Sequence, residues 1–219
     1  MKKSMSAARL FAGLAALMLS CTLLAAPQTP DELADTYRTT VDRRLQPPDG
    51  EVAAYAALVD AAFAAAQVLL ERAQYVVVVD RNPHVQAVLL LWWSGEGSYR
   101  LVGASPVSTG APGRFDYFQT PLGVFEHGPW NPDFRAEGTL NENGIRGYGD
   151  KGMRVFDFGW QRVPKGWGDH AVIDMRLQMH ATQALRQPVP DAGRYLVIVD
   201  SGRTKRPAWS PLPRAVRRK

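Results

Sequence analysis

The sequence of 219 residues contains a single cysteine, Cys21. One thiol excludes a disulfide within the chain. Histidine is also scarce, with four residues in the whole sequence. The candidates His127, His170 and His180 are separated by distances that match no ligand pattern of a known metal motif, even with the aspartates near them. We therefore expect no metal site.

The sequence also lacks an apolar run of the roughly 18 to 20 residues that a membrane-spanning helix needs. The run from Leu10 to Leu24 has only fifteen residues, and three basic residues precede it within the first nine positions. This pattern is typical of a secretory signal, so we predict that residues 1–26 are a signal segment and that the protein is exported. In a second interpretation, Ser20-Cys21 belongs to a poor lipoprotein box, and Cys21 carries a lipid anchor in the envelope.

Acidic residues are absent from the last nineteen positions. Residues 27–200 carry 16 basic and 21 acidic residues, whereas residues 201–219 carry only basic ones. The basic residues of this region are Arg203, Lys205, Arg206, Arg214, Arg217, Arg218 and Lys219. We expect residues 201–219 to form a loosely held, proline-rich basic tail that adheres to an anionic membrane surface.

Two helices are predicted before the first strand, and residues 27–74 are interpreted as a helical prefix. Thr29-Pro30-Asp31-Glu32 combines an N-cap, a proline at the first helical position and the glutamate of a capping box, which predicts a helix to about Leu45. Glu51 to Ala73 repeats apolar residues at helical spacing among alanines, which predicts a second helix with one face to bury.

Residues 75–200 are predicted to form a mostly-β domain, so the chain as a whole is expected to be α+β. Three strands separated by short turns indicate an antiparallel meander. The predicted strands are 75–80, 85–93, 99–109, 120–125, 153–160, 175–180 and 195–200. Residues 126–152 have no apolar period and read as a long loop. The run from Gly144 to Gly149 has no strand before it and no helix after it, so we expect no nucleotide or nucleic-acid binding there.

Two short motifs carry a resemblance to a known family. Val107-Ser108-Thr109-Gly110 and Thr120-Pro121-Leu122-Gly123-Val124-Phe125 lie about ten residues apart, and Met179-His180-Ala181-Thr182 follows later. The three segments resemble motifs of the L,D-transpeptidase (YkuD-like) catalytic domain, in which the last one usually reads His-Gly-Thr. The resemblance extends from about Tyr75 to Thr182.

The resemblance implies a sheet sandwich and a protein of peptidoglycan cross-linking or remodelling. Family members form an acyl-enzyme on a cysteine and transfer the acyl group to an amine, without a cofactor. By this resemblance, His180 is the catalytic histidine, and Thr109, Gly110 and Arg146 are substrate-binding residues. Arginine suits the recognition of carboxylates, which are frequent in peptidoglycan stem peptides. Tryptophans suit either stacking on sugar rings or packing within strands. The candidates for these roles are Trp92, Trp93, Trp130, Trp160 and Trp167.

The cysteine segment of the family has no counterpart in this sequence. The residues from Gln183 to Ala192 contain no cysteine, serine or threonine. Ser108 and Thr109 carry hydroxyls, but a hydroxyl nucleophile needs an adjacent base, and the sequence places none beside them. Two hypotheses remain: a family protein that is inactive as written, or a non-catalytic envelope protein that binds stem peptides or a partner enzyme.

Overall fold

The computed structural model describes ten elements of secondary structure, within residues 29–110, 113, 115, 118–127, 134–135, 138–140, 151–152, 154–169, 171–180 and 194–211. The two helices are α1 (Pro30–Thr40) and α2 (Asp49–Ala65). The strands are β1 (Gln74–Asp80), β2 (Ala87–Trp93), β3 (Tyr99–Pro106), β4 (Gly123–Glu126), β5 (Phe134–Arg135), β6 (Arg154–Pro164), β7 (Val172–His180) and β8 (Tyr195–Val199). The predicted α+β class is confirmed.

Five strands form the larger sheet, in the order β3-β2-β1-β8-β4. The predicted antiparallel meander is confirmed, because β1 pairs with β2 and β2 pairs with β3 in antiparallel register. β8 then joins β1 in parallel, with Val76 opposite Tyr195 and Asp80 opposite Val199. The sheet is therefore mixed, with β1 at its centre and β2 and β8 on either side of it. Among the described residues, the remaining sheet has three strands in the order β5-β6-β7.

Helix α2 covers one face of the larger sheet. Val52, Tyr55, Val59 and Phe63 recur at helical spacing, and all four are buried. They belong to one apolar cluster with alternate residues of β1, β2 and β8. Burying a side chain such as Val59 contributes about 1.5–3 kcal/mol to the free energy of unfolding.

A buried carboxylate ties α2 to the carboxyl end of β1. The Tyr55 hydroxyl donates a hydrogen bond to Oδ2 of Asp80 at 2.6 Å, and the backbone N–H groups of Asn82 and Ser201 donate to Oδ1. Burial raises the pKa of the Tyr55 hydroxyl, and the Asp80 carboxylate raises it further. Since every partner is a donor, the fully buried Asp80 is satisfied without a counter-ion.

Helix α1 packs on the other face, at the β3 side of the sheet. Its Leu33 lies in a small cluster with Tyr75 and Val102. Tyr37 lies flat against Gly103, where an added Cβ would come within 2.5 Å of the tyrosine ring. Glycine at this position therefore lets the helix approach the strand, and the Tyr37 hydroxyl reaches the hydroxyl of Ser105.

The smaller sheet covers this second face beside β8. Phe158 of β6 and Leu177 of β7 pack in one cluster with Phe125 of β4 and with Leu196 and Ile198 of β8. Helix α1 and the smaller sheet thus cover different parts of the second face of the larger sheet. The larger sheet lies between α2 on one side and α1 with the smaller sheet on the other.

Both helices end earlier than their patterns predict. Helix α1 ends at Thr40 rather than at Leu45, because Val41 turns to extended backbone. Helix α2 ends at Ala65 rather than at Ala73, because Gln67 adopts a left-handed conformation with φ of 55°. The N–H of Val68 then bonds to the carbonyl of Phe63, which closes the helix in a Schellman motif without glycine. Neither helix is long and apolar enough to cross a membrane, within the part of the chain that the structure describes.

The expectation of a loosely held tail is wrong for residues 203–211, which we call the C-terminal segment. Arg206 donates hydrogen bonds to the carbonyls of Pro83, Val85 and Ser210. Trp209 packs edge-on against Tyr55, with ring centroids 6.1 Å apart. The segment therefore completes the apolar cluster around α2, a role that its proline-rich and basic composition conceals.

Candidate functional site

A cavity of about 440 Å³ lies between the two sheets. Its floor is the second face of the larger sheet, at Val79 of β1 and at Leu196 and Ile198 of β8. One wall is the stretch 106–109, directly after β3, together with Thr120. The other wall is residues 177–179 of β7. The cavity thus brings together residues of all three motif segments, of which the first and third are about seventy residues apart in the sequence.

The wall after β3 is fixed by hydrogen bonds to the β1–β2 turn. The N–H of Val107 donates to the carbonyl of Gln86 at 2.9 Å. The Thr109 hydroxyl donates to the carbonyl of Arg81 at 3.2 Å and accepts from the Gln86 amide at 3.3 Å. Thr109 is 3% exposed, so its hydroxyl serves mainly to hold this wall in place.

Arg81 stabilises the same wall through a hydrogen bond and an ion pair. Its Nη1 donates to the carbonyl of Thr120 at 2.9 Å, and the N–H of Thr120 donates to the carbonyl of Thr109 at 3.1 Å. The Nε of Arg81 lies 3.9 Å from Oδ2 of Asp200. Burial raises the pKa of Asp200, but hydrogen bonds from Asn82 and Gly202 and the charge of Arg81 outweigh this effect and lower it. Arg81 was not among the predicted site residues, because nothing in its local sequence marks it.

Gly110 closes the base of the loop that connects the two halves of this wall. It adopts φ of 89°, and a Cβ there would lie 1.5 Å from the carbonyl oxygen of Phe118. Any larger residue would open the loop base. The predicted substrate-binding role of Gly110 stays a prediction, and the close approach to Phe118 already explains why glycine is needed.

The outer part of the same loop contacts the turn between β6 and β7. The N–H of Gly113 donates to the carbonyl of Gly166 at 2.8 Å. The Trp167 ring lies against Phe115 and Phe118, with centroids 5.9 Å and 4.8 Å away. This contact joins the two sheets on the side of the loop, and the 65% exposure of Phe115 leaves an aromatic surface beside it.

The β7 wall leads directly to the predicted catalytic histidine. His180 is the last residue of β7, where its backbone pairs with Val155 of β6. It follows the lining residues 177–179 without interruption. Gln178 was not predicted. Its side-chain Nε2 is buried and has no hydrogen-bond partner among the described residues.

Two of the predicted features cannot be placed. Arg146 and the segment 181–193, where the family has its cysteine, lie outside the described residues, as does Cys21. Arg146 as a substrate-binding residue therefore stays a prediction.

Of the other histidine and aspartate candidates, His170 lies outside the described residues, whereas His127 and Asp169 have separate partners. Nδ1 of His127 lies 2.7 Å from the carbonyl oxygen of Asp157, and its ring packs against Phe158. Asp169 pairs with Lys165 at 2.5 Å, which lowers the pKa of the carboxyl. Within the described residues, no three His, Cys, Asp or Glu side chains come together as metal ligands would.

The tryptophan candidates divide between packing and exposure. Trp92 packs on Tyr75 with ring centroids 4.7 Å apart, and Trp93 lies against the α2 cluster. Trp160 is 69% exposed on β6, and Trp167 joins the aromatic contact beside the loop. Trp130 lies outside the described residues, and among the other candidates Trp160 and Trp167 are placed where a sugar ring can reach them.

The chain has no match among the models of known protein families. A search of curated proteins also finds no match. Function must therefore be argued from the cavity itself and from the motif residues around it.

Proposed function

We propose that the chain is an exported, L,D-transpeptidase-like envelope protein that binds peptidoglycan stem peptides in the cavity without acyl transfer. One observation carries the proposal: the stretch 106–109 and the strand that ends in His180 line the same cavity. They carry residues of two of the three segments on which the family resemblance rests, and Thr120 of the remaining segment lines the same cavity. Their meeting across the cavity supports a retained peptide groove, and the sheet arrangement is compatible with the family's sandwich.

The chemistry of the described residues favours binding over covalent catalysis. The only thiol, Cys21, lies in the predicted signal segment. The Thr109 hydroxyl bonds to a backbone carbonyl and to an amide, neither of which is a base. Ser108 is exposed at the cavity, where a hydroxyl can donate to a ligand carbonyl but needs a base to attack one.

The competing hypothesis is an active family enzyme from which the cysteine segment has been lost in this sequence. The two hypotheses differ in one genetic observation. If the reading frame around codons 182 to 193 encodes a longer segment with a cysteine in related strains, this chain is a deletion variant of an enzyme.

A binding experiment tests the proposal directly. Ser108→Trp fills the cavity from an exposed position and should weaken the binding of a disaccharide-tetrapeptide at least tenfold by calorimetry. Ser98→Trp, a matched change in the exposed β2–β3 turn, should leave binding unchanged. Equal affinities for the two variants would place the ligand elsewhere.

A second experiment tests the absence of acyl transfer. The purified chain is incubated with a disaccharide-tetrapeptide and an acceptor amine, and the products are followed by mass spectrometry. We expect no acyl-enzyme and no cross-linked product above a His180→Ala control, because loss of a covalent nucleophile removes several orders of magnitude in rate. An adduct on any residue would show that the chain is an enzyme.

Export is the cellular part of the proposal. The basic residues before the apolar run Leu10 to Leu24 support it. Fractionation should recover the protein from the envelope or the periplasm, shortened at its N-terminus. A full-length chain that stays in the cytoplasm would contradict export.

Adhesion to an anionic membrane is proposed for residues 212–219 rather than for the whole basic region. Arg203 pairs with Glu51, and Arg206 binds backbone carbonyls, so neither is free to bind lipid. Besides the exposed Lys205, four basic residues remain, all beyond Pro211, each worth roughly 1 kcal/mol near an anionic surface and less when salt screens it. Truncation after Pro211 should abolish binding to anionic vesicles at low salt, and unchanged binding would refute the assignment.

A further inference from the structure

The geometry of the cavity points to a specific mode of recognition, and we propose that an uncharged peptide segment binds there as an added strand along the open edge of β7. The inference rests on the proposed function in one respect, since it takes the ligand to be a peptide. Beyond the proposed function, it specifies the strand that pairs with the ligand, the absence of charge on the ligand segment, and the length of that segment.

The first argument is the position of β7 in its sheet. The order β5-β6-β7 places β7 at an edge, and β6 is its only strand partner among the described residues. In an antiparallel ladder, alternate residues direct their N–H and C=O groups away from the partner strand. A nine-residue edge strand therefore presents several main-chain groups that an extended peptide can pair with.

The second argument is the run of consecutive lining residues. Leu177, Gln178 and Met179 all line the cavity, although neighbouring side chains on a strand point to opposite faces. A cavity that touches all three reaches the backbone of β7 as well as the side chains on one face of the strand. The ligand therefore lies beside the backbone of β7.

The opposite wall has fewer free main-chain N–H and C=O groups. The N–H of Val107 is used by Gln86, and the carbonyl of Thr109 is used by Thr120. Pro106 has no N–H at all. Main-chain pairing is thus directed to β7, while the stretch 106–109 bounds the ligand from the other side.

The third argument is charge. Every described lining residue is uncharged: the floor and walls are mostly aliphatic, and the polar members are two threonines, a serine and a glutamine. An ionised carboxylate would lose its hydration here without gaining an opposite charge among these residues. Arg81 lies behind Thr120, where the Thr120 carbonyl and Asp200 already engage it. The segment that enters is therefore neutral.

The length of the segment follows from the walls. Each wall spans three or four residues, and a strand advances about 3.3 Å per residue, so the paired region is about 10 Å long. Three to four residues of the ligand fit. A stem peptide therefore fits only with its carboxylates pointing out of the cavity into solvent.

The test is an N-methyl scan of a neutral peptide. Acetyl-tetra-alanine amide is titrated into the full chain, and backbone amide shifts are followed by NMR. We expect shifts at 177–179 and a loss of affinity that alternates along the peptide. Methylating an amide that faces β7 should cost about three- to tenfold, and methylating its neighbour much less. Acetyl-tetra-alanine with a free C-terminal carboxylate should also bind at least tenfold more weakly than the amide, because its carboxylate would lie in the paired region.

The outcomes separate this inference from the proposed function. A uniform response to methylation, or equal binding of the acid and the amide, overturns strand addition even if the disaccharide-tetrapeptide binds. Alternating sensitivity with no binding of the disaccharide-tetrapeptide sustains strand addition and overturns the proposed function. Failure of both probes to bind at millimolar concentration overturns both.

Discussion

The two sheets that enclose the cavity are supported very differently. All five residues of β8 are buried, between β1 and β4 and against the α2 cluster. On β7, Leu177 is buried, whereas Asp174 and Arg176 are exposed, and Val172 at its start is 55% exposed. Strands with few buried contacts open at lower free energy than central ones. One side of the cavity thus shares the stability of the whole fold, and the other is free to adapt to a ligand.

The largest expected effect comes from matched leucine truncations in the two regions. Leu89→Ala in β2 removes a fully buried side chain from the α2 cluster and should lower the free energy of unfolding by about 3–5 kcal/mol. Leu177→Ala in β7 should cost about 2 kcal/mol, because the smaller cluster around it can relax. Urea denaturation of both variants measures the difference. A greater loss for Leu177→Ala would reverse the comparison.

The C-terminal segment should behave as part of the stable region. Trp209→Ala removes the edge-on contact with Tyr55 and should lower the free energy of unfolding by about 2 kcal/mol. Truncation after Pro211 should change it by less than about 0.5 kcal/mol. Thermal unfolding of the two variants distinguishes a docked segment from a loose tail. If the segment were a loose tail, the Trp209→Ala variant would be as stable as the parent protein.

Local patterns predicted the elements well where the physical cause is local. The capping box of Thr29 and Glu32 is present in the structure, and the valine run of β1 is a strand, as predicted. The end of α2 was misjudged, because the left-handed conformation of Gln67 is rare for a residue other than glycine and leaves no mark in the apolar pattern.

Long-range features were not predictable in the same way. The parallel pairing of β1 with β8 joins residues more than a hundred positions apart, and a run of apolar residues does not specify its partner strand. Trp209 and Ser210 pack into the fold from a stretch whose prolines and basic residues indicate a tail. At the site, Thr109 was predicted from a motif. Arg81 and Gln178 were not predicted, because only the folded chain brings them to the cavity wall.

The smallest expected effect is electrostatic and again contrasts the two regions. The lowered pKa of Asp200 means that its ionised form stabilises the fold above the unfolded-state value of about 3.9, and that this contribution is lost as the pH falls through the lowered pKa. Asp200→Asn should therefore destabilise the protein at pH 7, by less than about 1 kcal/mol, and should have no effect in strong acid. Denaturation across this pH range measures it.

Asp169 is the matched control on the β6–β7 turn. Its pKa is also lowered, chiefly by Lys165, but its carboxyl is mostly exposed. Asp169→Asn should have an effect that salt removes, whereas the effect of Asp200→Asn should persist because its carboxyl is partly buried. Equal salt sensitivity of the two variants would contradict the distinction.

Hydrogen exchange with and without a disaccharide-tetrapeptide tests the central claim most directly, because one measurement reports on the stability of both sheets and on ligand binding. Without ligand, the amides of β8 should exchange only by global unfolding, and those of 172–180 should exchange faster. With ligand, protection should rise at 107–109 and 172–180 and stay unchanged at 195–199. Equal exchange in the two sheets, or no added protection along β7, would contradict the account.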